Sequence, residues 1–301
     1  GVRLPSEFRA LARDVRAITT LLNDYLRETD VDISDTMAAM EYREEPTFAD
    51  DQVINPVTHV QLQAHHSLVA AIDHLGGVAA CIAAENITLA PISLMRPIVV
   101  ASGVSYWLLD PDITLRERLR RGWNLELDSI REQLNSITKE ADQQLWQRLI
   151  IARHRYLTWA EDHGYQRQER KERYGERRYW LSYGDEATPP PAEIKLAEAV
   201  LSTIGAGGMG KYVYRFTSAF IHTQPHAFSL FKPARTQYDP QTPGAVPLGI
   251  AYEDMTTWLT VVTLALNTAA ERCGYYFGWD MTKWSKVMNA TMSKWVDALR
   301  P

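Results

Sequence analysis

The stretch KYVYRFTSAFIHTQPH, Lys211 to His226, decides how the rest of the chain is read. As a helix it sets Lys211, Arg215, Ser218 and His222 at steps of four, three and four residues, which stack side chains on one face of a 3.6-residue repeat. Val213, Phe216 and Phe220 turn to another face and supply its apolar contact. Arg215 and His222 are two turns apart, roughly 10.5 Å at 1.5 Å of rise per residue. Pro225 ends the helix soon after His222, because a residue preceding proline is driven out of the helical region. One face thus carries a fixed cation, a hydroxyl and an imidazole, with His226 just beyond.

That set of groups suits phosphodiester chemistry. A guanidinium holds a phosphate with two donors, and an imidazole titrates near neutrality and moves protons. The competing reading is a solvated polar stripe or a structural histidine.

An Arg, six residues and a His, inside a helix that opens after a Gly-rich turn, resembles the Arg-(four to six)-His signature of the HEPN superfamily. The surrounding pattern is also similar to helical bacterial families near it: an aromatic before the Arg, a Ser three residues on, then aliphatic-His-x-x-Pro. The resemblance covers about a dozen residues closely. It implies an all-α bundle of the kind that includes metal-independent ribonucleases of toxin and antiphage systems. It further implies that Arg215 and His222 are catalytic, and that two copies of the helix face each other across a homodimer twofold. For a toxin it implies a protein partner such as an antitoxin. Lys211, Ser218, His226 and Arg96 are the candidate substrate-binding residues. In the related families Arg96 is followed one turn later by Glu; here that place is Val100, which leaves the site without an evident acidic partner.

The totals are those of a soluble globular chain of one large or two ordinary domains: 301 residues, 46% hydrophobic and 23% charged. A net charge of −5 excludes wrapping of nucleic acid by bulk charge, so RNA contact requires a local patch. The two cysteines, Cys81 and Cys273, form neither a metal cluster nor a disulfide framework, and point to a reducing cytoplasm. Pro91–Leu109 has the length of a membrane span, but Arg96, Pro97 and three serines make it a bundle helix, and no membrane association is expected.

Outward from the central stretch, helical periods dominate. Phe8, Leu11, Val15, Ile18, Leu22 and Leu26 predict a first helix to about Glu28. An acidic connection to Pro56 follows, with a short helix around Thr36–Arg43. Residues 1–57 read as an N-terminal helical extension and 58–301 as an antiparallel helical bundle with long loops, its HEPN-like part centred on 190–301. Val57–Asn86 is a long helix whose core stripe is Leu62, Val69, Ile72, Leu75, Ala79 and Ile82; Gly76-Gly77 in its middle allow a close crossing or a kink. His59, His66 and Asp73 share a face at seven-residue steps, but no Glu-x-x-His or His-x-x-x-His pair accompanies them, so a polar face is expected rather than a metal site.

Thr114–Ile137 is a basic helix paired with Lys139–His163. Gln166–Arg178 mixes six basic residues with three acidic ones and aromatics; a clamp for RNA is one reading, a solvated helix end the other. After a short helix, Glu193–Ile204, comes GAGGMGKY (205–212). It nearly matches a phosphate-binding loop but ends in Tyr212 where Ser or Thr is required, and reads as a flexible turn. Ser229–Gly249 is a turn-rich lid or surface excursion. Two closing helices, Glu253–Cys273 and Met281–Leu299, carry Trp258, Trp284 and Trp295 on apolar faces. No cofactor is implied. The leading expectation is a HEPN-like ribonuclease; the alternative is a helical interaction protein that kept the bundle and lost the chemistry.

Overall fold

The computed structural model describes residues 6–27, 34–84, 90–137, 139–173, 175–184, 188–222, 224, 232–233 and 248–300. Among them the protein is an all-α helical bundle of eleven helices with two small hairpins. In chain order the helices are α1 (Ser6–Arg27), α2 (Met37–Tyr42), α3 (Glu45–Phe48), α4 (Pro56–Ala83), α5 (Ala90–Leu108), α6 (Leu115–Ser136) and α7 (Gln143–Asp162). The hairpin β1 (Gln166–Arg170) and β2 (Arg178–Ser182) follows, then α8 (Glu193–Ser202) and α9 (Gly207–Ile221). Last come the two-residue strands β3 (Lys232–Pro233) and β4 (Leu248–Gly249), α10 (Tyr252–Phe277) and α11 (Thr282–Ala298).

The chain forms two compact units, neither of them continuous in sequence. One gathers residues 1–31, 65–107 and 193–301; the other gathers 32–64 and 108–192. Residues 1–57 therefore fall partly in each: α1 belongs with the closing helices, α2 and α3 with α6 and α7.

In the first unit most of the predicted α1 stripe is buried: Phe8, Leu11, Val15, Ile18 and Leu22 are closed off from solvent, while Leu26 at its end is only half-buried. Asp14 ties it to α11, accepting from Lys294 Nζ at 2.6 Å and from the Trp295 indole at 3.0 Å. Trp284, Met288 and Trp295 of α11 and Trp258, Val262 and Leu266 of α10 are buried as their periodicity predicts. In α4, Ile72, Leu75, Ala79 and Ile82 are buried, but Leu62 and Val69 are 47% and 37% exposed and so are not core. By length and composition alone α4 is long and apolar enough to cross a membrane, with a stretch of mean hydropathy 1.4 that is 39% buried, a test that core helices of soluble proteins also pass. Gly77 does serve a close approach, since a Cβ there would lie 3.1 Å from Leu94 Cδ1, whereas Gly76 faces open space.

The second unit is built on α6. Thr114 caps its first turn by accepting from the Glu117 amide. Arg118 is fully buried: its Nε donates to both Glu41 carboxylate oxygens at 3.0 and 2.9 Å, and its other nitrogens reach the carbonyls of Leu108 and Asp110. Trp123 stacks between His59 and the rings of Tyr156 and Trp159. Ile130, Leu134 and Leu149 close the contact of α6 with α7.

The charged run 166–178 is not a helix end. It forms most of the antiparallel hairpin β1–β2, paired from Gln166 with Ser182 to Arg170 with Arg178. The hairpin is held from one side by α6. The buried Asn124 carboxamide accepts from Leu181 N at 2.6 Å and donates to Leu181 O at 3.1 Å, acting as a strand neighbour would. Arg178 grips Asp128 with two nitrogens, at 2.9 and 2.6 Å.

Candidate functional site

The predicted site rests on α9, and α9 is placed by unusually close packing on α8. A Cβ on Gly210 would lie 2.0 Å from Ala197 O, and one on Gly207 would lie 2.5 Å from Ser202 Oγ. Of the residues read as a flexible turn, only Gly205 has the left-handed backbone that glycine favours, with φ of 72°. Gly207, Gly208 and Gly210 are already inside the helix. Gly207 and Gly210 let two helices touch, whereas a Cβ on Gly208 would meet nothing within 4 Å.

Along α9, Val213, Thr217, Ala219 and Phe220 are buried. Lys211, Arg215 and His222 are exposed, on the side opposite the buried face. Their side chains make no hydrogen bond or ion pair with other described residues. Ser218 is half-buried, and its hydroxyl donates to Tyr214 O at 2.7 Å, a local bond that competes with its service to a ligand. His222 ends the helix: as the C-cap its amide donates to Ser218 O at 3.0 Å. His226 and most of the predicted lid lie outside the described residues.

Arg96 has an acidic partner after all, from a helix that sequence spacing does not reach. Its Nη2 donates to Glu193 Oε2 at 2.6 Å and to the Tyr214 hydroxyl at 3.0 Å. Tyr214 in turn donates to the same carboxylate oxygen at 3.1 Å. The guanidinium also lies over the Tyr214 ring, 4.5 Å from its centroid. Burial, followed by the Glu193 charge, pushes the Tyr214 phenol above its ordinary value. The carboxylate beside Arg96 is thus Glu193 of α8, from a different helix than the one that carries Val100.

Beside this triad opens a cavity of about 550 Å³. Its polar lining is His66, Ser67, His74, Arg96 and Glu193, and its apolar lining includes Val100, Ala101 and Ile221, the residue before His222. On the helical wheel Tyr214 and Ile221 flank the Lys211–Arg215–His222 stripe, so cavity and stripe are neighbouring faces of one helix end.

Many arginines of the basic segments are paired with carboxylates or carbonyls. Arg120 and Arg121 share Glu117, at 2.6 and 2.8 Å. Arg167, Arg170, Arg177 and Arg178 meet Glu161, Glu172, Glu169 and Asp128. Arg153 meets Glu176 at 3.1 Å, and Arg116 donates to His163 O at 2.8 Å. Among the described residues no cluster of three or more His, Cys, Asp or Glu side chains has metal-binding geometry. His59 instead packs flat on Trp123 and approaches Glu126 at 3.7 Å.

Comparison with protein-family models, with curated proteins and with solved structures finds no match to this chain.

Proposed function

We propose that the protein is a HEPN-like, metal-independent endoribonuclease whose chemistry is carried by the exposed stripe of α9. One observation carries this reading. Lys211, Arg215 and His222 stand together on the solvent side of a tightly anchored helix, with no ion pair to any described residue. Many other arginines are bonded to carboxylates or carbonyls, as Arg120, Arg121, Arg178 and Arg116 are, whereas this face keeps its cations open to a ligand, with Lys211 only in electrostatic reach of Glu198.

In this mechanism the 2′-hydroxyl of the RNA attacks the adjacent phosphate, and the 5′-oxygen of the next nucleotide leaves. His222 transfers the protons, and the Arg215 guanidinium stabilises the charge that grows on the phosphoryl oxygens. Lys211 holds the phosphate. Arg215 and His222 are too far apart along one helix to close on a single phosphate unaided, so a second copy, running antiparallel, brings the Arg215 of one protomer to the His222 of the other. Purified protein incubated with single-stranded RNA and a chelator should cut it, and His222→Ala should stop cleavage without lowering the melting temperature. Absence of cleavage by the wild type removes the reading.

A second reading has its own support. Self-neutralised arginines and a net charge of −5 suit a helical scaffold that binds protein rather than RNA. It predicts no nuclease activity and no effect of His222→Ala on partner binding.

A further inference from the structure

We infer that the cavity between the Arg96–Glu193–Tyr214 triad and Ile221 is a nucleobase subsite, taking an unpaired base next to the phosphate held by the α9 stripe. This inference rests on reading α9 as RNA-facing.

The argument starts from shape and chemistry. A nucleobase is a flat body with apolar faces and a polar edge carrying donors and acceptors side by side. The cavity has a matching composition: Val100 and Ala101 give it apolar lining, while donor and acceptor stand together where Arg96 meets Glu193. Its volume, about 550 Å³, exceeds what one base needs and leaves room for the ribose. Two imidazoles, His66 and His74, are among its lining, and aromatic rings are the usual stacking platforms for splayed-out bases.

The triad is suited to reading an edge because it is already ordered. Arg96 is fixed by a carboxylate, a phenol hydroxyl and a ring face at once. The Glu193 oxygen that binds Arg96 and Tyr214 is Oε2, and no described residue bonds Oε1. Glu193 is half exposed, with 52% of its side chain accessible. A base entering the cavity meets an immobilised donor set and one open acceptor, at little ordering cost.

Position supplies the last step. Ile221 belongs to the cavity wall and His222 follows it directly, so a base in the cavity leaves its phosphate beside the stripe. Stacking is sequence-tolerant, so the subsite distinguishes a base from no base more sharply than one base from another.

The test uses two fluorescein-labelled six-nucleotide probes with uncleavable 2′-O-methyl backbones, one carrying uracils and one abasic, followed by anisotropy. Wild-type protein should bind the uracil probe at least about tenfold more tightly than the abasic one. Ala101→Trp, which fills the cavity, and His66→Ala, which removes a stacking ring from an exposed position, should each erase most of that difference. Neither should change affinity for the abasic probe. Arg215→Ala should weaken both probes alike. Equal wild-type affinity for the two probes overturns the subsite while leaving the α9 reading intact, and would give the cavity to a protein segment. Failure of both probes to bind overturns both the subsite and the α9 reading.

Discussion

Replacing Gly210 by alanine tests the packing that sets the site in place. The new Cβ would lie 2.0 Å from Ala197 O, 2.7 Å from Ala197 C and 3.1 Å from Glu198 N. An ordinary contact is about 3.4 Å or more, so α9 must move by over an ångström, or α8 must. All three atoms belong to backbone inside α8, which cannot rotate away as a side-chain end would. Overpacking of this kind costs about 1–3 kcal/mol when side chains yield, and more when they cannot. Alanine's better helix propensity returns about 1 kcal/mol. The net expectation is a loss of about 2–4 kcal/mol, or on the order of 5–10 °C in apparent Tm. Gly208→Ala is the control: it lies two residues away in the same helix, a Cβ there meets nothing within 4 Å, and it should be neutral or stabilising by up to about 1 kcal/mol. Urea denaturation followed by circular dichroism would measure both. If Gly210→Ala matches Gly208→Ala, the close α8–α9 approach does not exist and the placement of the stripe fails with it.

Arg118→Ala should destabilise by about 3–5 kcal/mol in the same assay, because it strands the buried Glu41 carboxylate. Replacing both residues by methionine should recover much of that loss. Glu117 gives a pH dependence: burial works to raise its pKa, but hydrogen bonds from Arg120 and Arg121 outweigh that and hold it below its ordinary 4.5. Its contribution is therefore full above pH 4.5 and is lost as pH falls below that through its depressed value. Glu117→Gln should lower stability at neutral pH and flatten the fall below pH 4.5, as read from melting temperatures between pH 3 and 7. Tyr214→Phe removes a hydroxyl bonded to both Arg96 and Glu193, and should cost about 1 kcal/mol while leaving the stacked ring in place.

Helices announce themselves through their buried face, and that part of the fold was legible. The stripes of α1, α10 and α11 are the buried ones. Leu62 and Val69 were misassigned because period alone does not say which turns of a long helix have a neighbour. The hairpin escaped because β1 alternates nothing: Gln166–Arg170 is polar on both faces and is held by its pairing with β2, which Asn124 grips at Leu181. At the site, Arg96 and the α9 stripe were visible as residue types at helical spacing. Glu193 was not, since it stands 97 residues from Arg96 and begins a different helix. The glycines of 205–210 suggested conformational freedom, whereas the space at Gly210 shows a demand for the absence of a side chain.

The central claim is that RNA is cut at a site shared between two protomers by Arg215 of one and His222 of the other. Complementation of two inactive variants tests it most directly. Arg215→Ala and His222→Ala proteins are each prepared, confirmed inactive on single-stranded RNA with chelator present, then mixed in equal amounts and allowed to exchange subunits. Half of the resulting dimers are mixed, and each mixed dimer holds one site with both groups intact, so activity should return to about a quarter of the wild-type level. A mixture that stays inactive, beside a wild-type control that cuts, contradicts the shared site.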